Sequence, residues 1–322
     1  MTLIPENENH LLQIQAGVIG RKKGHNFEEF ISEKINKIKN ISSFTKADND
    51  IYYGNAAENL LKLIIFKENI QSFDKVTAIC TGILATSELK SKGITINGVP
   101  ISKSKSDVII SFFDNNRVVN RVGVSTKQCN NKTPTNAQLY FTTAIGFSNL
   151  LRTHGLEISE NAENSLRQFC GDIGFRPLDT KIPERKTDNR RYFWEEILTE
   201  GKIFWENLFE KKQNTISEIL FKFAYDNDKF PPNYLIHKTK YSENLNNVEC
   251  AIYKIDDLIS KSVTYRGFEK KLYRVTKGSF KDPIGIFHEA PRFGIIQMQR
   301  GGQKQHPTQL QFNLEAGYFY KI

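Results

Sequence analysis

Cysteine is scarce in this sequence, and the few residues present do not form a metal-binding pattern. The four cysteines lie far apart among 322 residues and include no C-x-x-C pair: Cys80, Cys129, Cys170 and Cys250. Structural zinc sites use closely spaced cysteines, and disulfide scaffolds are rich in them. The sequence therefore argues against both and favours a reducing, cytoplasmic compartment.

Long hydrophobic runs are also missing. The longest apolar stretches, such as residues 60–66, are too short to cross a bilayer, and residues 1–10 lack the basic start and apolar run of a secretory signal. The chain shows no internal repeat and no low-complexity tract. Its length allows one sizeable core or two modest ones, and we expect no membrane partner.

Positive charge is in excess. The formal net charge is +9 and the pI is about 9.2, which favours a polyanionic partner. Residues 265–281 mix basic and aromatic side chains, as a groove that follows phosphates would. Arg266, Lys270 and Lys271 are the candidate contacts. Alternatively, this segment is a basic edge strand whose lysines discourage sheet pairing.

Two adjacent segments predict a β-hairpin that carries chemistry. Residues 102–113 and 120–128 have strand-like patterns and are joined by the turn-rich residues 114–117. Asp107 and Lys127 lie at matching ends, and period two places Ser125 and Lys127 on one face. This layout, Asp, 17 residues, then S-x-K, is typical of a metal-dependent nuclease centre. The alternative is a surface hairpin with a solvated lysine and an aspartate in a turn.

A helix is predicted upstream, over residues 24–39, because its apolar residues recur at helical spacing. Glu28 lies near the packed face of that helix, whereas Glu29, Glu33 and Asn36 share a stripe that we expect to be solvated. A carboxylate that approaches a core needs a partner, which a metal or an active-site lysine would supply. Alternatively, Glu28 is a first-turn carboxylate favoured by the helix dipole.

Several of these segments together resemble the MspI-type restriction endonucleases of the PD-(D/E)xK superfamily. The resemblance runs in order through G-x-x-F-E-x-F-I with Glu28, I-C-T-G at 79–82, K-S-D-V-I-I-S-F with Asp107, and S-T-K-Q with Lys127 followed by residues 130–141. It returns more faintly at 232–236 and 310–312. The family has Asn where this chain has Ser125.

The resemblance implies an α/β fold with a restriction-endonuclease-like core, in which a mixed central sheet is flanked by helices, and a β-rich carboxyl-terminal part. It implies Mg²⁺ as cofactor, with Asp107 as direct ligand, Glu28 assisting and Ser125 acting through a water. Lys127 orients or deprotonates the attacking water. The implied partners are double-stranded DNA and a cognate DNA methyltransferase that acts on the same site, in a prokaryotic cytoplasm.

The chain divides into three expected regions: a catalytic core at 1–175, a helical middle at 176–230 and a β-rich recognition part at 231–322, which can pack as one fold with the core. Helices are predicted at 136–155, at 160–174 with an end at Gly171 or Gly174, and within 193–227. We expect Trp194 and Trp205 in the core. Residues 176–192 are the candidate boundary or DNA-facing loop, and short β-runs, including 262–268, dominate from Tyr234 onward.

Residues 297–313 are the first candidate for reading bases, because Gln, Asn, Arg and Lys can pair bidentately with base edges. We expect a hairpin whose strands turn Leu310, Phe312 and Leu314 to a core. Its tip carries the candidate readers Arg300, Gln303, Lys304, Gln305 and His306. The second candidate follows the Lys127 strand and comprises Thr135, Asn136 and Gln138. Alternatively, Thr135 or Asn136 caps a following helix.

The sequence thus predicts a type II restriction endonuclease that hydrolyses both strands of a short specific duplex sequence and depends on Mg²⁺. Two other functions stay open. One is a structure-selective repair nuclease on the same core, and the other is a non-catalytic, sequence-specific DNA-binding protein on a nuclease fold.

Overall fold

A computed structural model of the protein describes residues 8–39, 50–85, 93–96, 98–172, 174–175, 193–224, 228–265, 267–275, 282–300 and 309–315. These residues group into two compact units. The first unit comprises the described residues of Met1–Ala137 and Phe221–Leu258, and the second comprises those of Gln138–Leu220 and Ile259–Glu315.

The described elements are helices and strands of ordinary length, apart from the long first and fifth helices. The α-helices are α1 (Glu8–Lys37), α2 (Ala56–Lys67), α3 (Ala144–Thr153), α4 (Glu160–Cys170), α5 (Thr199–Lys222, kinked at Lys212) and α6 (Ile255–Ser262). Short 3-10 helices cover Gly82–Ala85 and Trp194–Glu196. The strands are β1 (Ile51–Gly54), β2 (Lys75–Cys80), β3 (Ile94–Ile96), β4 (Val99–Ile101), β5 (Val108–Asp114), β6 (Arg117–Gln128), β7 (Ala137–Thr143), β8 (Pro232–Lys238), β9 (Val248–Lys254), β10 (Glu269–Val275), β11 (Asp282–Ala290), β12 (Arg292–Phe293), β13 (Ile296–Arg300) and β14 (Gln309–Leu314). None of these described helices is both long enough and apolar enough to span a membrane.

A mixed sheet with strand order β1-β9-β8-β6-β5-β2 forms the centre of the first unit. Strands β6 and β8 run parallel, and the other neighbours are antiparallel. One face of the sheet packs against α1 and α2 and contributes the alternate residues Val108, Ile110, Val122 and Val124 to the core. Ile109 belongs to a smaller cluster with residues of the β3–β4 hairpin. The predicted fold class, an α/β protein with a mixed central sheet flanked by helices and a β-rich carboxyl-terminal part, is confirmed.

The predicted hairpin is formed by β5 and β6. Its two-residue turn places Asn115 and Asn116 at φ values of +49° and +63°. Asparagine tolerates this left-handed region better than most residues, and two such residues in succession match the twist of a tight hairpin. The polar link sets the register at the turn, where Asp114 pairs with Arg117, and an irregularity between Phe112 and Phe113 shifts it by one residue, so that Val108 pairs with Val124.

Helix α1 buries Phe27, Ile31 and Ile35 in the core of the first unit. Glu29, Glu33 and Asn36 are exposed, as expected, and Asn36 also has backbone partners. The Asn36 side chain donates to the carbonyl of Ala78 and accepts from its N–H, both at 2.8 Å. Because β2 is an edge strand of the sheet, this amide satisfies backbone groups that would otherwise face solvent.

The second unit has an aromatic core and two further sheets. The four-stranded sheet has the order β12-β13-β14-β7, and β10 and β11 form an antiparallel ribbon. Large buried side chains fill the core: Phe147, Trp194, Trp205, Phe209, Phe293 and Phe312. This confirms the predicted core positions of both tryptophans, and Leu310, Phe312 and Leu314 are also buried as predicted.

The helix predicted over 136–155 is wrong in its first half. Residues 137–143 form β7, and the helix α3 begins only after Thr143, whose hydroxyl accepts from the N–H of Gly146 as the N-cap. Neither Thr135 nor Asn136 caps this helix. Aromatic and β-branched residues favour a strand here once β14 is available as a partner. Helix α4 ends at Gly171, as predicted, with φ at +71°.

The β-run predicted at 262–268 is also wrong in its described residues. Ser262 is the last residue of helix α6 (Ile255–Ser262), and residues 263–265 and 267–268 form no strand. The N–H groups of Val263 and Tyr265 donate back to the carbonyls of Ile259 and Ser262, so the chain turns at the end of the helix instead of extending.

The two units do not follow the predicted boundaries at 175 and 230. Strands β8 and β9 belong to the first unit because β8 pairs in parallel with β6. A parallel strand reaches the sheet only after a long crossover, so the first unit is discontinuous in sequence. The predicted boundary loop at 176–192 lies outside the described residues.

Candidate active site

Asp107 lies where β5 begins, at one end of the central sheet. Its N–H donates to the carbonyl of Val124 at 2.8 Å, and its carbonyl accepts from the N–H of Thr81 at 2.9 Å. These bonds continue the ladders on both sides by one residue, so the backbone of Asp107 is held between β2 and β6. Its carboxylate projects from the end of the sheet and lies 3.8 Å from the Lys127 ammonium.

One oxygen of Asp107 takes the side chain's hydrogen bonds. Oδ2 accepts from the N–H of Thr126 at 2.6 Å and lies 3.3 Å from the Ser125 hydroxyl and 3.4 Å from the Thr126 hydroxyl. Within the described part of the chain, Oδ1 receives no hydrogen bond. The carboxylate is therefore fixed by one oxygen, and the other is available to a cation or a water.

Glu28 approaches the same point from helix α1, and its side chain is only 9% exposed. Oε1 lies 3.4 Å from the Thr126 hydroxyl, and Oε2 lies 3.7 Å from the Cys80 thiol. Burial and, next, the negative charge of Asp107 raise the pKa of Glu28 to about 7, against the opposing effects of Lys127, Cys80 and Thr126. Glu28 and Asp107 lie close together with little solvent, so ionising both carboxylates is unfavourable unless a cation binds between them.

A glycine makes room for Glu28. A Cβ on Gly82 would overlap Glu28 Oε2, so no other residue fits at position 82 without displacing the carboxylate. The backbone at Gly82 therefore forms a close wall beside the glutamate. The carboxylate is bounded by Thr126 on one oxygen and by Cys80 and Gly82 on the other.

The Lys127 ammonium donates to the carbonyl of Thr126 at 2.9 Å, and its side chain is 17% exposed. In the parallel register it lies beside His237. Burial and, next, Lys127 lower the pKa of His237 to about 3. This imidazole is neutral at physiological pH and adds no charge to the site.

A second ammonium, on Lys105, lies on the approach to β5 and donates to the carbonyl of Phe223 at 3.4 Å. Burial and, next, the positive charge of Lys127 lower the pKa of Lys105 to about 7, whereas Asp107 and Asp228 raise it. Asp107 therefore interacts electrostatically with two lysines, Lys105 and Lys127.

The donor atoms suit a hard divalent cation. Among the described residues there is no group of three or more His, Cys, Asp or Glu side chains arranged to hold a metal. The site instead offers the carboxylates of Glu28 and Asp107 and the hydroxyls of Ser125 and Thr126. Mg²⁺ is commonly held by one or two carboxylates, with water and substrate phosphate completing its shell, so the residues present fit this ion.

The chain is similar in structure to a known restriction endonuclease. No protein-family model and no curated protein matches the chain. A solved structure of the restriction endonuclease MspI in complex with its cognate DNA is similar to it, with a TM-score of 0.43 and 15% sequence identity, over 80% of this chain and 78% of that one. A likeness this weak adds nothing to the geometry of the site.

The structure brings together the four residues proposed for catalysis: Glu28, Asp107, Ser125 and Lys127. The candidate DNA contacts Thr135, Asn136, Gln138 and Lys270 are exposed. The Thr135 hydroxyl lies 3.2 Å from the Cys129 thiol in the loop after β6. The candidates Arg266, Gln303, Lys304, Gln305 and His306, and the side chains of Lys271 and Arg300, lie outside the described residues.

Sequence reasoning missed Thr126, Cys80 and Gly82. Two of them belong to the I-C-T-G segment at 79–82 that forms part of the family resemblance, so a signal was present without an assigned role. Thr126 is the unassigned residue between Ser125 and Lys127. Only the packing of α1 against β6 brings Glu28 to it.

Proposed function

We propose that the protein is a Mg²⁺-dependent endonuclease that hydrolyses both strands of double-stranded DNA at a short specific sequence, as a type II restriction endonuclease does. The observation that carries this proposal is the convergence of two carboxylates and a lysine: Asp107 lies 3.8 Å from Lys127, and Thr126 lies 3.4 Å from both carboxylates. The motif resemblance of Glu28, Asp107 and Lys127 to the MspI-type enzymes adds to this.

Asp107 and Glu28 hold the cation, and Ser125 holds a water beside it. When bound, Mg²⁺ supplies positive charge that stabilises the developing charge on the scissile phosphate. Lys127 orients the attacking water or helps to deprotonate it, and its positive charge offsets the negative charge of the transition state. The water oxygen forms a bond to phosphorus, the bond from phosphorus to the 3′-oxygen breaks, and that oxygen gains a proton. The products are a 5′-phosphate and a 3′-hydroxyl.

Duplex DNA is the partner that fits the charge of the chain, with its net charge of +9. Exposed polar side chains at Thr135, Asn136 and Gln138 follow the Lys127 strand in sequence, which supports them as candidate DNA contacts. Lys270 is exposed on the β10–β11 ribbon, where it can contact phosphate. In this proposal a cognate methyltransferase protects the same DNA site.

Plasmid digestion tests the proposed function. We expect a supercoiled plasmid to be cut into discrete bands with Mg²⁺ or Mn²⁺, and to stay intact with EDTA, because oxygen ligands suit hard cations. A smear instead of bands would indicate the structure-selective nuclease. Retention of labelled duplex without any cutting would indicate the non-catalytic DNA-binding protein.

Lys127→Ala should lower the single-turnover cleavage rate at least about a hundredfold, the lower range for a positioned proton-transfer group. The control is Lys37→Ala, which removes an exposed α1 lysine whose ion pair is with Glu33 on the same helix. We expect the control to cut at the parent rate, and a Lys127→Ala protein that did the same would remove Lys127 from the mechanism.

A further inference from the structure

Thr126 occupies the place where the two carboxylates of the candidate active site meet. It follows Val122 and Val124 on β6 at alternate positions, and both valines belong to the core that includes α1. The Thr126 side chain is thus turned toward Glu28, and it is 7% exposed. Asp107 and Lys127, by contrast, reach the site from the end of the hairpin.

The Thr126 hydroxyl lies at the same distance from both carboxylates. Oγ1 is 3.4 Å from Glu28 Oε1 and 3.4 Å from Asp107 Oδ2. The backbone of the same residue makes a shorter bond, in which its N–H donates to Asp107 Oδ2 at 2.6 Å. One residue therefore touches both acids through two different groups.

The backbone N–H and the hydroxyl of Thr126 restrain different carboxylates. The backbone bond fixes Asp107 to β6 whatever the side chain at 126. The hydroxyl has a single proton and can donate to only one carboxylate at a time. Asp107 already accepts the backbone N–H of Thr126, so the hydroxyl is left to restrain Glu28, the acid that comes from the helix. On the far side of Glu28, Cys80 and Gly82 limit movement away from the pair.

We propose that Thr126 is a positioning residue: its hydroxyl sets the separation of Glu28 and Asp107, and through it the affinity of the site for a divalent cation. This inference rests on the proposed function. It goes beyond it by assigning a role to the residue between Ser125 and Lys127. Groups that hydrogen bond to ligating carboxylates change metal affinity by about 10–100-fold when they are removed.

The test measures cation binding directly. Mn²⁺ binding to the DNA-free full chain is titrated by electron paramagnetic resonance for the parent protein, Thr126→Val and Thr126→Ser. Valine keeps the branched shape on the strand and lacks the hydroxyl, whereas serine keeps the hydroxyl. We expect Thr126→Val to bind Mn²⁺ about tenfold more weakly and Thr126→Ser to bind as the parent does.

Two controls separate positioning from structure. Thr77→Val makes the same change on β2 of the same sheet, away from the carboxylates, and should leave Mn²⁺ binding unchanged. The Mg²⁺ concentration for half-maximal cleavage should rise about tenfold in Thr126→Val, while the KM for DNA stays constant. A general loss of structure would change the KM as well. Should Thr126→Val not fold, Thr126→Ala replaces it, because it differs from Thr126→Ser by one oxygen.

The outcomes distinguish this inference from the proposed function. Parent-like Mn²⁺ affinity in Thr126→Val, or equal weakening in Thr126→Ser, overturns the positioning role. The Asp107→Ala protein is titrated alongside. If Asp107→Ala binds Mn²⁺ weakly while Thr126→Val does not, only the inference fails. If Asp107→Ala binds Mn²⁺ as the parent does, the carboxylate pair is not a cation site and the proposed function fails with it.

Discussion

Asp107→Ala should abolish DNA cleavage and leave specific DNA binding in place. The backbone of β6 holds one oxygen of the Asp107 carboxylate, and the other oxygen is available to bind a cation. Its loss removes a proposed cation ligand, and several kcal/mol of lost transition-state stabilisation corresponds to about a thousandfold or more in rate. Binding should persist or tighten, because a carboxylate that repels phosphate is removed and no base contact is lost.

Single-turnover cleavage and a mobility-shift titration in EDTA measure the two effects separately. The control is Asp114→Ala, at the other end of the same strand, β5, which should cut and bind as the parent does. Cleavage by Asp107→Ala at the parent rate would contradict the assignment of the site. Loss of binding together with cleavage would mean that Asp107 supports the fold rather than the chemistry.

Glu28→Gln should make the metal-free protein more stable and the enzyme inactive. The folded-state pKa of Glu28, about 7, lies above its ordinary value of 4.5. The folded chain therefore holds the proton more tightly than the unfolded chain. The resulting destabilisation is absent below about pH 4.5, grows as the pH rises toward 7, and is complete above that. Its full size is about 3 kcal/mol.

Denaturant unfolding in EDTA at pH 5 and pH 8 checks this prediction. The parent should lose stability between these pH values relative to Glu28→Gln, in which the neutral amide does not titrate. Addition of Mg²⁺ at pH 8 should stabilise the parent alone, because a ligand that binds only the folded state shifts the unfolding equilibrium. Glu29→Gln, an exposed neighbour on α1, is the matched control. Equal pH dependence in the parent and Glu28→Gln would show that Glu28 is ionised at little cost.

The hairpin that carries Asp107 and Lys127 was predictable because its signals are local. Alternation, a turn of two asparagines and the spacing from Asp107 to Lys127 all act within one stretch of chain, and the structure has β5 and β6 as expected. The same holds for the buried tryptophans and for the end of α4 at Gly171.

Predictions failed where a distant partner decides the local structure. Residues 137–143 carry a pattern that is compatible with a helix, but β14 is available to pair with them, and pairing outweighs a weak propensity.

By itself, the sequence determined the α/β class, the hairpin that carries Asp107 and Lys127, and the helix that carries Glu28, since periodicity and turn chemistry are properties of neighbouring residues. Only the tertiary structure decided that Glu28 meets Asp107 at Thr126, that Gly82 leaves room for the glutamate, and that β8 completes the sheet beside Lys127. These contacts join residues far apart in the chain. Their distances depend on how helices and strands pack, which no local pattern encodes.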